Sequence, residues 1–114
     1  MIQPPQHKIQ ASGAWHKRSF LEQMANIGSE VYRATNWREK GNKQYAQMAF
    51  TRSLELFDLT KKSKLTPPQL KELCRAREIW VDFFAYDNIY KSSTEYLNKY
   101  FAELTVAARR QIMP

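Results

Sequence analysis

Thr66-Pro67-Pro68-Gln69-Leu70-Lys71-Glu72-Leu73-Cys74, continuing to Trp80, Val81 and Phe84, is the stretch whose reading decides the fold. Threonine can cap a helix with its hydroxyl, and proline suits the first helical position, where no N–H is needed. Gln69 stands three residues after Thr66, the spacing of a capping box. Leu70, Leu73, Cys74, Trp80, Val81 and Phe84 then recur at helical spacing and form an expected buried stripe. Tyr86-Asp87-Asn88 ends the pattern, giving a helix over about 67–86.

Working back from Thr66, a second helix occupies about 43–62. Asn42 caps it. Gln44, Gln47, Thr51, Glu55, Asp58 and Lys62 make its polar stripe, with Ala46, Ala49, Phe50, Ser53, Leu54 and Phe57 opposite. Gly41 suits the left-handed position that closes the preceding helix, about 19–40, so the two should form a tight antiparallel hairpin. Ser19 and Glu22 have capping-box spacing at the start of that first helix, and Phe20, Met24, Ile27, Gly28 and Val31 share one face. A glycine there costs about 1 kcal/mol against alanine, and close approach of a neighbouring helix is the expected reason. Working forward, Ser92 and Glu95 open a fourth helix, about 93–110, with Leu97, Tyr100, Phe101, Leu104 and Ala108 on its apolar side. No segment alternates with the period of a strand. The sequence therefore predicts an all-α protein, an antiparallel up-down four-helix bundle, with residues 1–14 as a flexible or extended N-terminal arm.

A chain of 114 residues suffices for one domain, placed at 15–114, and 43% hydrophobic residues support a core. Formal net charge is +7 and the pI is about 9.7, which favours nucleic acid, an anionic membrane or an acidic protein as partner. Cys74 is the only cysteine, so an internal disulfide is excluded and a reducing cytoplasmic setting is expected. No apolar run approaches the ~20 residues that span a bilayer, and no membrane partner is expected.

Catalytic chemistry finds no support. Both histidines, His7 and His16, precede the first helix, and no Glu-x-x-His, zinc, phosphate-loop or nucleophile-elbow pattern is present. The expectation is a non-enzyme with no metal or cofactor, and Cys74 reads as core filler. Two arginines fall on apolar lines: Arg77 within Leu70–Leu73–Cys74–Trp80, and Arg52 within Tyr45–Met48–Leu56–Leu59. A buried guanidinium needs a carboxylate, so Glu30, Arg52 and Arg77 are expected to form a buried polar network, with Glu78 a further possible partner. An oligomer contact, or an anion or small-ligand pocket between helices, is the functional counterpart of that reading. Tyr45, Met48, Leu56 and Leu59 also widen the apolar arc of helix two beyond one face, which favours self-association.

The basic residues gather in the expected topology. Lys17 and Arg18 precede helix one, Lys61, Lys62 and Lys64 close helix two, and Arg109 and Arg110 close helix four. Those places are neighbours at one end of an up-down bundle. Cations in a last helical turn suit the helix dipole, by about 0.3–1 kcal/mol each, but Lys17 and Arg18 precede an N-terminus, where they do not. Trp15 beside His16-Lys17-Arg18 offers a ring for base stacking, or else packs ahead of the Ser19 cap. Trp37-Arg38 with Lys40 and Lys43, and Tyr90-Lys91, repeat the aromatic–basic mix elsewhere.

Trp15-His16-Lys17, Phe20, Glu22-Gln23-Met24-Ala25-Asn26-Ile27-Gly28-Ser29-Glu30-Val31, and Asp87-Asn88 with Tyr90 and Ser92 resemble a group of short prokaryotic helical proteins without an assigned activity. More loosely, size, charge and layout are similar to the ribosomal-RNA intervening-sequence proteins and to the Avd accessory proteins of diversity-generating retroelements. The second resemblance implies a basic oligomeric bundle working beside RNA. The expected function is nucleic-acid binding through Trp15, Lys17, Arg18, Lys61, Lys62, Lys64, Arg109 and Arg110, with RNA ahead of DNA and a homo-oligomer as the working form. The alternative is a protein–protein interaction subunit of a larger complex with no nucleic-acid role.

Overall fold

A computed structural model of the protein describes residues 13–112; the expected arm lies outside them apart from Gly13 and Ala14. Among the described residues a 3-10 turn, Trp15–Lys17, leads into α1 (Phe20–Glu39), α2 (Lys43–Lys61), α3 (Pro67–Ala85) and α4 (Thr94–Ile112), with no strand. These bounds lie within two residues of those read from caps and periodicity. No described helix is long and apolar enough to cross a membrane.

The caps explain the agreement. Glu22 N–H donates to Ser19 Oγ at 3.1 Å and Ser19 N–H to Glu22 Oε1 at 3.2 Å, closing both halves of a capping box. Thr66 and Gln69 repeat it at α3, and Asn42 Oδ1 accepts from Tyr45 N–H at 2.9 Å at α2. Gly41, at φ +82°, makes the left-handed step between α1 and α2. The fourth cap differs from expectation. Ser93 rather than Ser92 accepts from the helix, at Tyr96 N–H, while the Asn88 side chain holds the Ser92 backbone N–H and carbonyl in the preceding turn, outside the helix. Asp82 anchors the same turn, its carboxylate accepting from Ile89 N–H at 3.0 Å and Tyr90 N–H at 3.1 Å.

Side-chain contacts fix an antiparallel register throughout. Glu30 meets Arg52, and Trp37 meets Tyr45 edge to face, between α1 and α2. Gly28 lies against Phe101, and Thr35 accepts from Asn98, between α1 and α4. Trp80 donates to Ser53 at 2.9 Å, and Arg77 faces Asp58, between α2 and α3. Tyr100 donates its hydroxyl to Glu72, linking α3 and α4. The core gathers Met24, Ile27, Val31, Phe57, Leu73 and Trp80, each at most 2% exposed. A side chain of this size contributes about 1.5–3 kcal/mol by leaving water.

The buried face of α3 is rotated from the expected one. Leu73, Ala76 and Trp80 point inward, while Leu70 and Cys74 are exposed. Cys74 is therefore not core filler: it is exposed, on a line with Arg77 and Val81 that borders the groove between α2 and α3. Helix α2 is covered from two sides, so Leu56 is buried and Leu59 packs against the core. Of the surplus apolar surface expected on α2, only Tyr45 and Met48 remain exposed.

Candidate nucleic-acid interface

The N-terminus of α1 and the C-termini of α2 and α4 converge at one end of the bundle, held there by polar side chains. Ser19 Oγ donates to Gln111 Oε1 at 3.0 Å, tying α1 to the last turn of α4. His16 Nδ1 and Ser63 Oγ are hydrogen-bonded at 2.6 Å, and Gln23 Nε2 donates both to Ser63 Oγ and to the Trp15 carbonyl. These bonds fix the 3-10 turn against the end of α2. Gln23 is 1% exposed, so its amide has no water to replace either partner and acts as a bracket for the turn.

On that frame Lys17, Arg18, Lys61, Lys62, Lys64, Arg109 and Arg110 are all exposed. Among the described residues none of the seven has a carboxylate within 4.0 Å. Arg18 and Lys64 border one cleft of about 480 Å³, with Ser19, Gln69 and Gln111 beside them. Lys61 instead borders a separate groove between α2 and α3. The N-termini of α1 and α3 carry partial positive charge at this end, offset by the C-termini of α2 and α4. Seven side-chain cations then outweigh the Glu22 carboxylate that caps α1 there.

Trp15 corrects the sequence reading. Its ring is 0% exposed and its Nε1–H donates to Thr60 Oγ1 at 3.0 Å, so no face is left for a base to stack upon. It is the plug that fastens the N-terminal turn to α2. The second aromatic–basic cluster is likewise structural: Arg38 Nη1 donates to the Phe84 carbonyl at the end of α3 and lies over the Phe84 ring, 4.9 Å from its centre. Lys40 lies over Trp37 in the same way.

The expected buried polar network is half present. Glu30, 5% exposed, accepts from Arg33 Nη1 at 2.7 Å and Arg52 Nε at 3.2 Å. Arg77 does not join it. Its side chain is 43% exposed and faces Asp58 at 3.9 Å, because α3 meets the opposite flank of α2 from the one that meets α1. Sequence reasoning missed Ser63, Gln69 and Gln111 at the basic end. Gln69 carried a signal only as a capping residue, while Ser63 and Gln111 carried none, since their roles depend on partners 40 or more positions away. Among the described residues no group of three or more His, Cys, Asp or Glu side chains is placed to hold a metal ion.

Comparison with protein-family models, with characterised proteins and with solved structures finds no match for this chain. The geometry of the basic end therefore carries the functional argument.

Proposed function

We propose that this protein is a non-enzymatic helical bundle of the cytoplasm that binds nucleic acid through its basic end, working as an oligomer. The observation that carries the reading is the convergence of seven exposed cations, from three separate segments, on one end without carboxylate partners among the described residues. Dipole complement explains cations on the closing turns of α2 and α4 but not Lys17 and Arg18 ahead of α1. Placing them there has an electrostatic cost, which a bound phosphate would offset. Lysine and arginine at this density suit a phosphate backbone rather than a particular base sequence. The preference for RNA over DNA rests on the resemblance to intervening-sequence and retroelement accessory proteins, since the buried Trp15 supplies no stacking platform.

Fluorescence anisotropy of labelled single-stranded RNA, duplex RNA and duplex DNA, titrated at several salt concentrations, tests the proposal. Seven phosphate contacts predict log K falling by about 5–6 per decade of salt. Lys61→Glu, Lys62→Glu and Lys64→Glu together should abolish binding with helical content intact. Undiminished affinity in that triple variant removes this end from consideration. A protein-interaction subunit is the second reading, favoured by Tyr86 and Ile89, 73% and 72% exposed. Failure to bind any of the three probes at low salt supports it instead.

A further inference from the structure

A groove of about 810 Å³ runs along α2 and α3 from Lys61 to the α3–α4 turn. Phe57 and Leu73, 1% and 2% exposed, lie at its base. Tyr86 and Ile89 stand at the turn end, 73% and 72% exposed, and Tyr90, 47% exposed, reaches back to Glu78. Tyr86 and Ile89 are thus raised at one end of a hollow whose other end is lined by Lys61 and Cys74.

Charge along the groove is ordered as well. The register set by Ser53–Trp80 and Asp58–Arg77 puts Lys61 level with the first half of α3, near Cys74. Asp58 and Arg77 come next, loosely paired at 3.9 Å, and Glu78, Asp82 and Asp87 follow towards the turn. Among the described residues, Lys61, Glu78, Asp82 and Asp87 have no opposite charge within 4.0 Å. Glu78 and Asp82 lift the Tyr90 hydroxyl above its ordinary pKa, chiefly through the hydrogen bond that the hydroxyl donates to Glu78. Four of the eleven carboxylates of a chain with net charge +7 line this one groove. Its two ends therefore differ in sign as well as in relief.

Such a surface complements itself when turned end for end, which is the condition for an isologous two-fold interface. We propose that the groove is the self-association face of the protein. Two copies pack groove to groove across a two-fold axis near its middle. Lys61 and Arg77 of each copy face Glu78 and Asp87 of the other, and Tyr86 and Ile89 of each fill the hollow beside the other's Cys74. The pairing gives the oligomer of the proposed function a specific surface, but it needs no nucleic acid. Arg18, Lys64, Arg109 and Arg110 are not among its lining residues.

Sedimentation velocity of the full chain, from micromolar to millimolar concentration, tests this directly. A dimer is expected whose dissociation constant rises roughly tenfold or more in each of Asp87→Arg, Arg77→Asp and Ile89→Asp, all changes at accessible positions. The double variant Arg77→Asp/Asp87→Arg should regain much of the loss, because the exchanged charges meet across the axis. Alkylation of Cys74 by iodoacetamide should slow as the dimer forms. A chain that stays monomeric throughout the range overturns the proposal, whatever else then occupies the groove. So does a dimer indifferent to Asp87→Arg and Ile89→Asp, or a charge exchange that restores nothing. Lys61 belongs to both surfaces, but Arg18, Lys64, Arg109 and Arg110 lie outside the groove, so RNA binding by monomeric Ile89→Asp, measured separately, distinguishes failure of the basic end from failure of the dimer.

Discussion

Replacing Gly28 by alanine should destabilise the protein, although the same change in an isolated helix would stabilise it by about 1 kcal/mol. A Cβ built at Gly28 lies 2.6 Å from Phe101 Cβ, 3.0 Å from its Cγ and 3.1 Å from its Cδ1. The nearest of these atoms is the decisive one. Rotating the Phe101 side chain moves its ring but leaves Cβ in place, so relief requires the α4 backbone to retreat. Reaching ordinary contact at 3.4 Å from 2.6 Å means a local displacement of about 0.8 Å. Phe101 is 2% exposed, and the Asn98–Thr35 hydrogen bond across the same seam is already 3.3 Å long, so the retreat loosens a packed interface. Overpacking of this kind costs about 1–3 kcal/mol, and the upper half of that range applies where backbone must shift. Set against the helix-propensity gain, the net loss is about 1–2 kcal/mol, or a Tm lowered by about 4–10 °C. Urea denaturation followed by circular dichroism at 222 nm measures it, with an unchanged m-value expected. An alanine variant more stable than the parent would refute the reasoning, because it would mean that α4 yields at no cost.

Three further outcomes follow from the same contacts. Thr60→Val should cost about 1–3 kcal/mol, since it leaves the Trp15 Nε1–H buried without an acceptor; chemical denaturation measures the loss, and a neutral variant would show the indole finding water instead. Around Glu30, truncation should rank by burial. Glu30→Ala, removing a carboxylate 7% exposed, should cost a few kcal/mol, while Arg33→Ala, at a side chain 55% exposed, should cost about 0.5 kcal/mol or less; an inverted order in denaturation midpoints would contradict the geometry. Burial and the hydrogen bond to Glu72 keep Tyr100 neutral to well above the usual tyrosine pKa of 10.0. The unfolded chain loses that proton near pH 10, so the contribution is complete below about pH 10 and is lost as pH rises beyond it. Tyr100→Phe should flatten the alkaline limb of stability against pH, and an unaltered limb would assign it to other groups.

Much of the fold was legible because helix ends are written in local chemistry. Ser19 with Glu22, Thr66 with Gln69, and Asn42 each bond backbone N–H groups within three residues, and those bonds form wherever the helix does. The periodicity of α1 named its buried face correctly because α2 and α4 flank it on both sides, covering a wide apolar arc. Topology then sufficed to gather the basic residues at one end, since antiparallel order alone makes the relevant termini neighbours. Helical spacing decides which side chains share a face, but not how far round the helix a neighbour reaches. On α3 the buried residues are Leu73, Ala76 and Trp80, so Cys74 is left exposed and Arg77 reaches Asp58 of α2 only at the solvent edge. Ser93, not Ser92, caps α4, because Asn88, in a left-handed conformation, ties the Ser92 backbone into the turn and the helix begins one residue later.

The sequence by itself determined the four helices, the caps of the first three and the end at which the cations collect. Tertiary structure alone decided that Trp15 plugs the bundle through Thr60, that Glu30 takes Arg52 but not Arg77, and that a groove opens along α2 and α3. The physical reason is range: a cap is settled within one helical turn, whereas a buried indole or carboxylate must find a partner 45 or 22 positions away, and only the packed bundle fixes that distance.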